Sequence, residues 1–120
     1  MPASGPGFLS LQVRDLERSA LFYEQHLGLT RTPGPPHAVV FATTPAAFAV
    51  REPLPGVDLD ESPLGRGVAI WLHAPHAEAI HAALVAAGVT IASPPIDGPF
   101  GRTFTFVDPD GYLITLHDRA

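Results

Sequence analysis

The sequence predicts an α+β protein built from two tandem modules, each with the order β-α-β-β-β. Three features support this prediction: apolar residues alternate with period two before each helical segment, a glycine ends each helix, and short apolar runs follow each helix. Fourteen prolines divide the 120 residues into proline-free windows. Because proline interrupts helices and central strands, every helix and strand is expected to lie inside one of these windows.

Module one is expected over about residues 8–52. Leu9, Leu11 and Val13 alternate with the residues between them, which is typical of a strand with one covered face. Asp15 is a good N-cap for the helix that follows, because its carboxylate accepts from unpaired amides of the first turn. The apolar stripe of this helix is formed by Leu16, Ala20, Tyr23 and Leu27, and Gly28 is expected to end the helix. Three strands are expected to follow, at 29–32, 38–43 and 47–52.

Module two is expected over about residues 67–118, after a linker of about 53–66, and the whole of 1–120 is predicted to be a single domain. A strand at 68–74 precedes a helix that Pro75 opens and Gly88 ends. The apolar stripe of this helix is expected at Ile80, Leu84 and Ala87. Strands are expected at 89–92, 103–107 and 112–118, with turns at 98–102 and 108–111.

Composition limits the classes of partner. The net charge of −5 provides no basic stripe, so nucleic-acid binding is not expected. No apolar run approaches the ~20 residues of a membrane span, and no membrane partner is expected. The start of the chain lacks the pattern of a signal peptide and there is no cysteine, which together favour a cytoplasmic location.

Three stretches in this order resemble the vicinal oxygen chelate superfamily: Val13-Arg14-Asp15-Leu16-Glu17-Arg18-Ser19, then Phe22-Tyr23 with Leu27-Gly28-Leu29, then Asp108-Pro109-Asp110-Gly111-Tyr112. The resemblance covers about residues 8–118. It implies the glyoxalase/bleomycin resistance fold, in which each βαβββ module curls into a half-barrel. It also implies a homodimer with a ligand cavity between modules, and the proline-rich segment 2–7 could lie across the partner as an arm.

The resemblance also indicates where the metal ligands of the family's enzymes would fall. Those enzymes hold a divalent ion through one His or Glu on each of four strands. The corresponding residues here are Phe8, Ala49, Ala69 (or Val68 in another register) and Thr115. Hydrocarbon side chains cannot bind a metal ion, and a neutral hydroxyl is a poor metal ligand. No metal and no cofactor are therefore expected. His73 and His117 would lie on the same side, but two imidazoles without a carboxylate make a weak site.

The inward faces of the strands are expected to form a ligand-binding wall instead. Trp71 offers a broad aromatic face, and small neighbours leave room beside it. Phe8 is expected chiefly to pack inside the half-barrel, Trp71 either to pack or to bind ligand, and Phe104 and Phe106 to lie in the core. The predicted ligand-binding residues are Phe8, Ser10, Gln12, Ala49, Arg51, Ala69, Trp71, His73, Leu113, Thr115 and His117.

These features favour a metal-free protein that confers resistance by sequestering a bulky aromatic or glycopeptide-type antibiotic, as the resemblance to bleomycin resistance proteins implies. Acidic residues at Asp58, Asp60 and Glu61 would help to attract a cationic drug. The alternative is an enzyme of the superfamily, a lyase, isomerase or hydrolase, with His73 or His117 as acid or base. A regulatory or scaffold domain is a third possibility.

Overall fold

The computed structural model describes residues 2–119, which form two compact units, one ending at Asp60 and the other beginning at Glu61. Each unit contains one helix and a four-stranded mixed sheet. Unit 1 contains β1 (Phe8–Gln12), α1 (Leu16–Leu27), β2 (Arg31–Thr32), β3 (Ala38–Phe41) and β4 (Ala47–Arg51). Unit 2 contains β5 (Ile70–His73), α2 (Ala77–Ala86), β6 (Ile91–Gly98), β7 (Gly101–Val107) and β8 (Leu113–His117).

The predicted order β-α-β-β-β is confirmed in both units. The sheet of unit 1 has the strand order β1-β4-β3-β2, and that of unit 2 has β5-β8-β7-β6. The first strand pairs in parallel with the last one of its unit, and the remaining pairs are antiparallel. Because the first strand reaches its partner only through a crossover, the helix covers one face of each sheet and the other face stays open.

The covered face of unit 1 holds an aromatic core. Tyr23 of α1 lies between two phenylalanines of the sheet, with ring centroids 6.2 Å from Phe41 and 5.1 Å from Phe48. The helix begins where the sequence predicted, because the Asp15 carboxylate accepts from the Arg18 amide at 3.1 Å. It ends at Gly28, whose φ of 70° is a left-handed conformation that glycine adopts without strain.

The covered face of unit 2 packs α2 against the sheet through Leu84, and Phe104 and Phe106 are buried there as predicted. The β7–β8 turn is held by Asp108, which is buried. Its Oδ1 accepts from three backbone amides, those of Asp110, Gly111 and Tyr112, at 2.9, 3.0 and 2.9 Å. Residues 108–111, which contributed to the family resemblance, therefore form a turn that the carboxylate of its first residue holds in place.

Three predictions about elements in unit 2 are wrong. Strand β6 contains Pro94 and Pro95, although strands were expected to avoid proline. It is an edge strand with register shifts on either side of Ser93, and an edge strand tolerates the missing amide donors. Helix α2 begins at Ala77, so Pro75 precedes it rather than opening it, and Ala77 is buried where Ala87 had been expected to be.

No helix among residues 2–119 is long and apolar enough to cross a membrane.

Candidate ligand-binding site

The open face of the unit 1 sheet is a concave surface built from alternate residues of three strands. Side chains of a strand alternate between the two faces of a sheet. Leu11 lies on the face covered by the helix, so Ser10 lies on the open face. The pairing aligns Ser10 with Ala49 on one side, and Ala49 with Val40 on the other. Small side chains therefore meet at the centre of this face.

These small residues leave a cavity of about 440 Å³ on unit 1. A volume of this size lies within the usual range for small-molecule sites. Four of the predicted ligand-binding residues line it, and the prediction missed the other five, which belong to the β1 start, the β2–β3 loop, β3 and β4. The lining residues are Gly7, Phe8, Ser10, Pro35, Ala38, Val40, Ala47, Ala49 and Arg51.

Phe8 and Gln12 differ from their expected positions. Phe8 was expected to pack inside the half-barrel, but its side chain is 71% exposed because it lies at the outer end of β1, at the rim of the cavity. Gln12 is on the same face, and its Oε1 accepts from the Leu54 amide at 2.8 Å. Gln12 thus holds the segment that follows β4 and does not line the cavity.

The open face of unit 2 carries an aromatic cluster, which consists of Trp71, His73, Phe100 and His117. The Trp71 ring lies 5.8 Å from both Phe100 and His117, and the His73 and His117 rings lie 5.5 Å apart. Trp71 remains 48% exposed, so half of its surface is available for contact with another molecule. The prediction missed Phe100, because it lies in the predicted turn at 98–102 and not on a strand.

The remaining predicted residues of unit 2 lie around this cluster. Thr115 is the Cα partner of Trp71, and its hydroxyl is 2.7 Å from that of Thr105. Ala69 immediately precedes β5 and is exposed, and Leu113 is exposed at the start of β8. Leu113 also lines a smaller pocket of about 190 Å³, together with residues 63–68, Ile70 and Tyr112.

The His117 ring has a defined tautomer when it is neutral. Its Nδ1 lies 3.0 Å from the carbonyl oxygen of Arg119. Since a carbonyl can only accept, Nδ1 carries the proton and Nε2 is left as an acceptor. The ring therefore offers a hydrogen-bond acceptor to a molecule on the open face of unit 2.

The residues at the family's metal-ligand positions do not fit a metal. Phe8, Ala49 and Ala69 have no donor atom, and the Thr115 hydroxyl is hydrogen-bonded to Thr105. Within residues 2–119 there is no group of three or more His, Cys, Asp or Glu side chains that could hold a metal ion.

The acidic residues at 58, 60 and 61 lie outside the lining of the cavity. Asp60 forms an ion pair with Arg14 at 3.2 Å, and Arg14 also donates to the carbonyl of Leu59. The Asp58 carboxylate accepts from the Asp60 amide at 2.9 Å. Neither aspartate lines the cavity of unit 1, and Glu61 belongs to unit 2. The expectation that these acids help to attract a cationic drug concerns long-range attraction and stays a prediction.

The shifted pKa values belong to ion pairs that support the sheets. Hydrogen bonding from Arg31, opposed by partial desolvation, lowers the pKa of Glu24, and the bonds to Glu24 and Glu17 raise the pKa of Arg31. In unit 2, hydrogen bonding to Glu78 and the charge of Asp97 raise the pKa of Arg102. None of these residues lines the 440 Å³ cavity.

The model of the Glyoxalase/Bleomycin resistance protein/Dioxygenase superfamily matches residues 5–116, and the chain belongs to this superfamily. The match includes both helices and all the strands except His117, the last residue of β8. It confirms the resemblance that the Asp15 and Asp108 segments indicated. No curated protein sequence matches the chain at a significant level.

Solved structures with similar folds include two from Streptomyces sp. CB03234. TnmS3, described as an antibiotic binding protein, has a TM-score of 0.76 and 25% identity, with 100% of this chain and 99% of that chain covered. A glyoxalase/bleomycin resistance protein from the same organism has a TM-score of 0.73 and 25% identity, with 94% and 99% covered. FosX of Listeria monocytogenes, a fosfomycin resistance protein solved with Mn(II) and sulfate, has a TM-score of 0.75 and 20% identity, with 99% and 93% covered; this last likeness concerns the fold alone.

Proposed function

We propose that this protein binds a bulky aromatic or glycopeptide-type antibiotic without a metal and confers resistance by sequestering it. The observation that carries the proposal is the cavity of unit 1, whose lining is mostly apolar and includes Phe8 and Ala49 at two of the family's metal-ligand positions. Burial of a flat ring against Val40, Ala47 and Ala49 would supply about 25 cal/mol for each Å² of apolar surface removed from water.

The similarity to TnmS3 supports the same proposal, because that protein is described as binding an antibiotic and its whole length is matched. The aromatic cluster of unit 2 adds a second surface that suits a planar ligand. An aromatic pair contributes about 0.5–1.5 kcal/mol beyond its buried area. A cytoplasmic location is part of this proposal, because a sequestered drug must be intercepted before it reaches its target.

We further propose that the protein is a homodimer. Both open faces expose large apolar side chains, among them Phe8, Trp71 and Leu113. A second copy of the chain would remove part of this surface from water, and exposed apolar patches commonly mark protein–protein interfaces. Sedimentation equilibrium measures the mass directly, and a monomer at working concentration would contradict this part of the proposal.

The test is incubation of the purified protein with a panel of planar aromatic, quinone-type and glycopeptide antibiotics, followed by native and denaturing mass spectrometry. We expect at least one member to be retained in the native spectrum and to have an unchanged mass after denaturation. Trp71→Ala should weaken that complex by about two- to tenfold. Val85→Ala, which truncates an exposed apolar side chain on α2, is the matched control and should not weaken it.

A second candidate function is catalysis by the histidine pair, which the 5.5 Å distance between the His73 and His117 rings and the acceptor Nε2 of His117 favour. The same experiment distinguishes the two when the released ligand is also compared with the starting compound by NMR, because an isomerase changes the structure of its ligand and not the mass. A ligand that emerges with an altered mass would identify an enzyme, and His73→Asn and His117→Asn should then abolish conversion. An unaltered ligand whose binding is insensitive to Trp71→Ala would contradict the role of the aromatic cluster.

A further inference from the structure

Arg51 is a charged residue in otherwise apolar surroundings. It ends β4 and lines the cavity of unit 1, where its neighbours in the lining are aliphatic, aromatic or glycine residues and one serine. The side chain is half-buried. A cation in such a position is costly unless another group balances its charge.

The protein itself does not provide that balance. The Nε of Arg51 donates to the carbonyl oxygen of Glu52 at 2.9 Å, and among residues 2–119 its two terminal nitrogens have no hydrogen-bond or ion-pair partner. Arg31, by contrast, binds the carboxylates of both Glu17 and Glu24. The terminal nitrogens of Arg51 therefore remain available to a molecule in the cavity.

The chemistry of guanidinium limits what that molecule is. The guanidinium is planar, stays charged, and presents parallel N–H groups that match two acceptor oxygens of a carboxylate. The Ser10 hydroxyl, in the same lining, is a further donor. A cationic ligand would instead meet a like charge at Arg51.

We propose that the ligand of this cavity is an aromatic acid, or an aromatic compound with an equivalent planar pair of acceptor oxygens, and that Arg51 binds this pair while the ring lies on the apolar lining. This inference rests on the proposed binding function and specifies its ligand class. It replaces the expectation of a cationic drug, because the charge inside the cavity is positive although the net charge of the chain is −5.

The test uses three naphthalene probes that differ in one substituent: naphthoate, naphthamide and the naphthylmethylammonium ion. Dissociation constants are measured by NMR titration of the full chain. We expect naphthoate to bind about tenfold more tightly than the neutral amide, which corresponds to about 1.4 kcal/mol, and the ammonium ion to bind most weakly.

Variants then locate the preference. Arg51→Met keeps the length and apolar stem of the side chain and should bring the acid and the amide to within about twofold of each other. Arg51→Lys keeps the charge without the planar fork and should give an intermediate ratio. Arg18→Met removes an exposed arginine of α1 that does not line the cavity and should keep the ratio of the unmodified protein.

The outcomes separate this inference from the proposed function. Equal binding of the three probes, or an acid preference that survives Arg51→Met, would overturn the role of Arg51 and leave the cavity as a binding site. Failure of all three probes to bind the unmodified protein would overturn the aromatic-acid inference, whereas the proposed function falls only if the antibiotic panel also gives no complex. If Arg51→Met does not fold, the probe series on the unmodified protein and on Arg51→Lys still decides the question.

Discussion

The open faces of the two sheets occupy corresponding places in the fold and carry different side chains. Strand β4 of unit 1 presents Ala47, Ala49 and Arg51, and β8 of unit 2 presents Leu113, Thr115 and His117. The neighbouring strands differ in the same way, because Ser10 of β1 corresponds in position to Trp71 of β5. The open face of unit 1, which has small residues, forms a cavity, whereas the open face of unit 2 carries the aromatic cluster.

This difference shows that the backbone topology and the binding surface are separable. The covered faces of both units retain large apolar residues, because these residues bury surface against the helix and stabilise the fold. The open faces are not required for that core, so their side-chain volume and charge can be set by a ligand.

The largest effect is expected at the turn before the last strand. In unit 2 this turn depends on buried Asp108 and three amides, and in unit 1 the corresponding turn has a single bond from the Thr43 hydroxyl to the Ala46 carbonyl at 2.7 Å. Asp108→Ala should lower the free energy of unfolding by about 3 kcal/mol, and Thr43→Ala by about 1 kcal/mol. Urea denaturation measures both.

A matched variant sharpens this comparison. Asp108→Asn keeps one oxygen that accepts from the amides, so its loss of stability should lie between that of Asp108→Ala and zero. If Thr43→Ala proved as damaging as Asp108→Ala, the two turns would contribute equally and the distinction drawn here would be wrong.

An intermediate effect is expected from filling the cavity. Ala49 lies between Ser10 and Val40, so Ala49→Leu would project a larger side chain into the cavity. Binding of the naphthoate probe should weaken by more than about tenfold, or about 1.4 kcal/mol. Thr115→Val, at the corresponding place in unit 2, should change the affinity by less than about twofold. Equal effects in the two variants would place the probe elsewhere.

The smallest effect concerns the surface ion pairs. Because Arg31 lowers the pKa of Glu24, their interaction stabilises the fold at pH values above the ordinary glutamate pKa, and the contribution is lost as the pH falls through the lowered value. Glu24→Gln should therefore reduce the difference in the urea midpoint between about pH 7 and about pH 3.

Asp97→Asn provides the control for that prediction. Asp97 pairs with Arg102 in unit 2 but its side chain is 87% exposed, compared with 25% for Glu24. Solvent and salt screen exposed pairs, so this variant should leave the pH dependence close to that of the unmodified protein. Parallel pH profiles for the unmodified protein and Glu24→Gln would refute the contribution of Glu24.

Much of the fold follows from local patterns, which explains why the order of elements could be predicted. Asp15 and Gly28 mark the ends of α1 through backbone chemistry that depends only on neighbouring residues. Strand β6 could not be predicted in the same way. Whether Pro94 and Pro95 are tolerated depends on which edge of the sheet the strand occupies, and that is decided by pairing with distant residues.

The candidate site could be predicted only in part for a related reason. Alternation along β1, together with the family's metal-ligand position at Ala49 in β4, identified Phe8, Ser10, Ala49 and Arg51 as residues of one face, and all four line the cavity. Phe8 proved exposed because its burial depends on what surrounds the end of the strand. That the Arg51 terminal nitrogens have no partner among residues 2–119 is likewise a property of three-dimensional neighbours, which the sequence alone does not reveal.

The parallel pairing of β1 with β4 has a consequence for synthesis on the ribosome. All strand partners of the first sheet lie between Phe8 and Arg51, so its pairing needs no residue of the second half of the chain. The sheet cannot close, however, until β4 has left the exit tunnel. Because every pairing partner of this sheet then lies outside the tunnel, the nascent chain should be able to pair β1 to β4 while β5 to β8 are still being made.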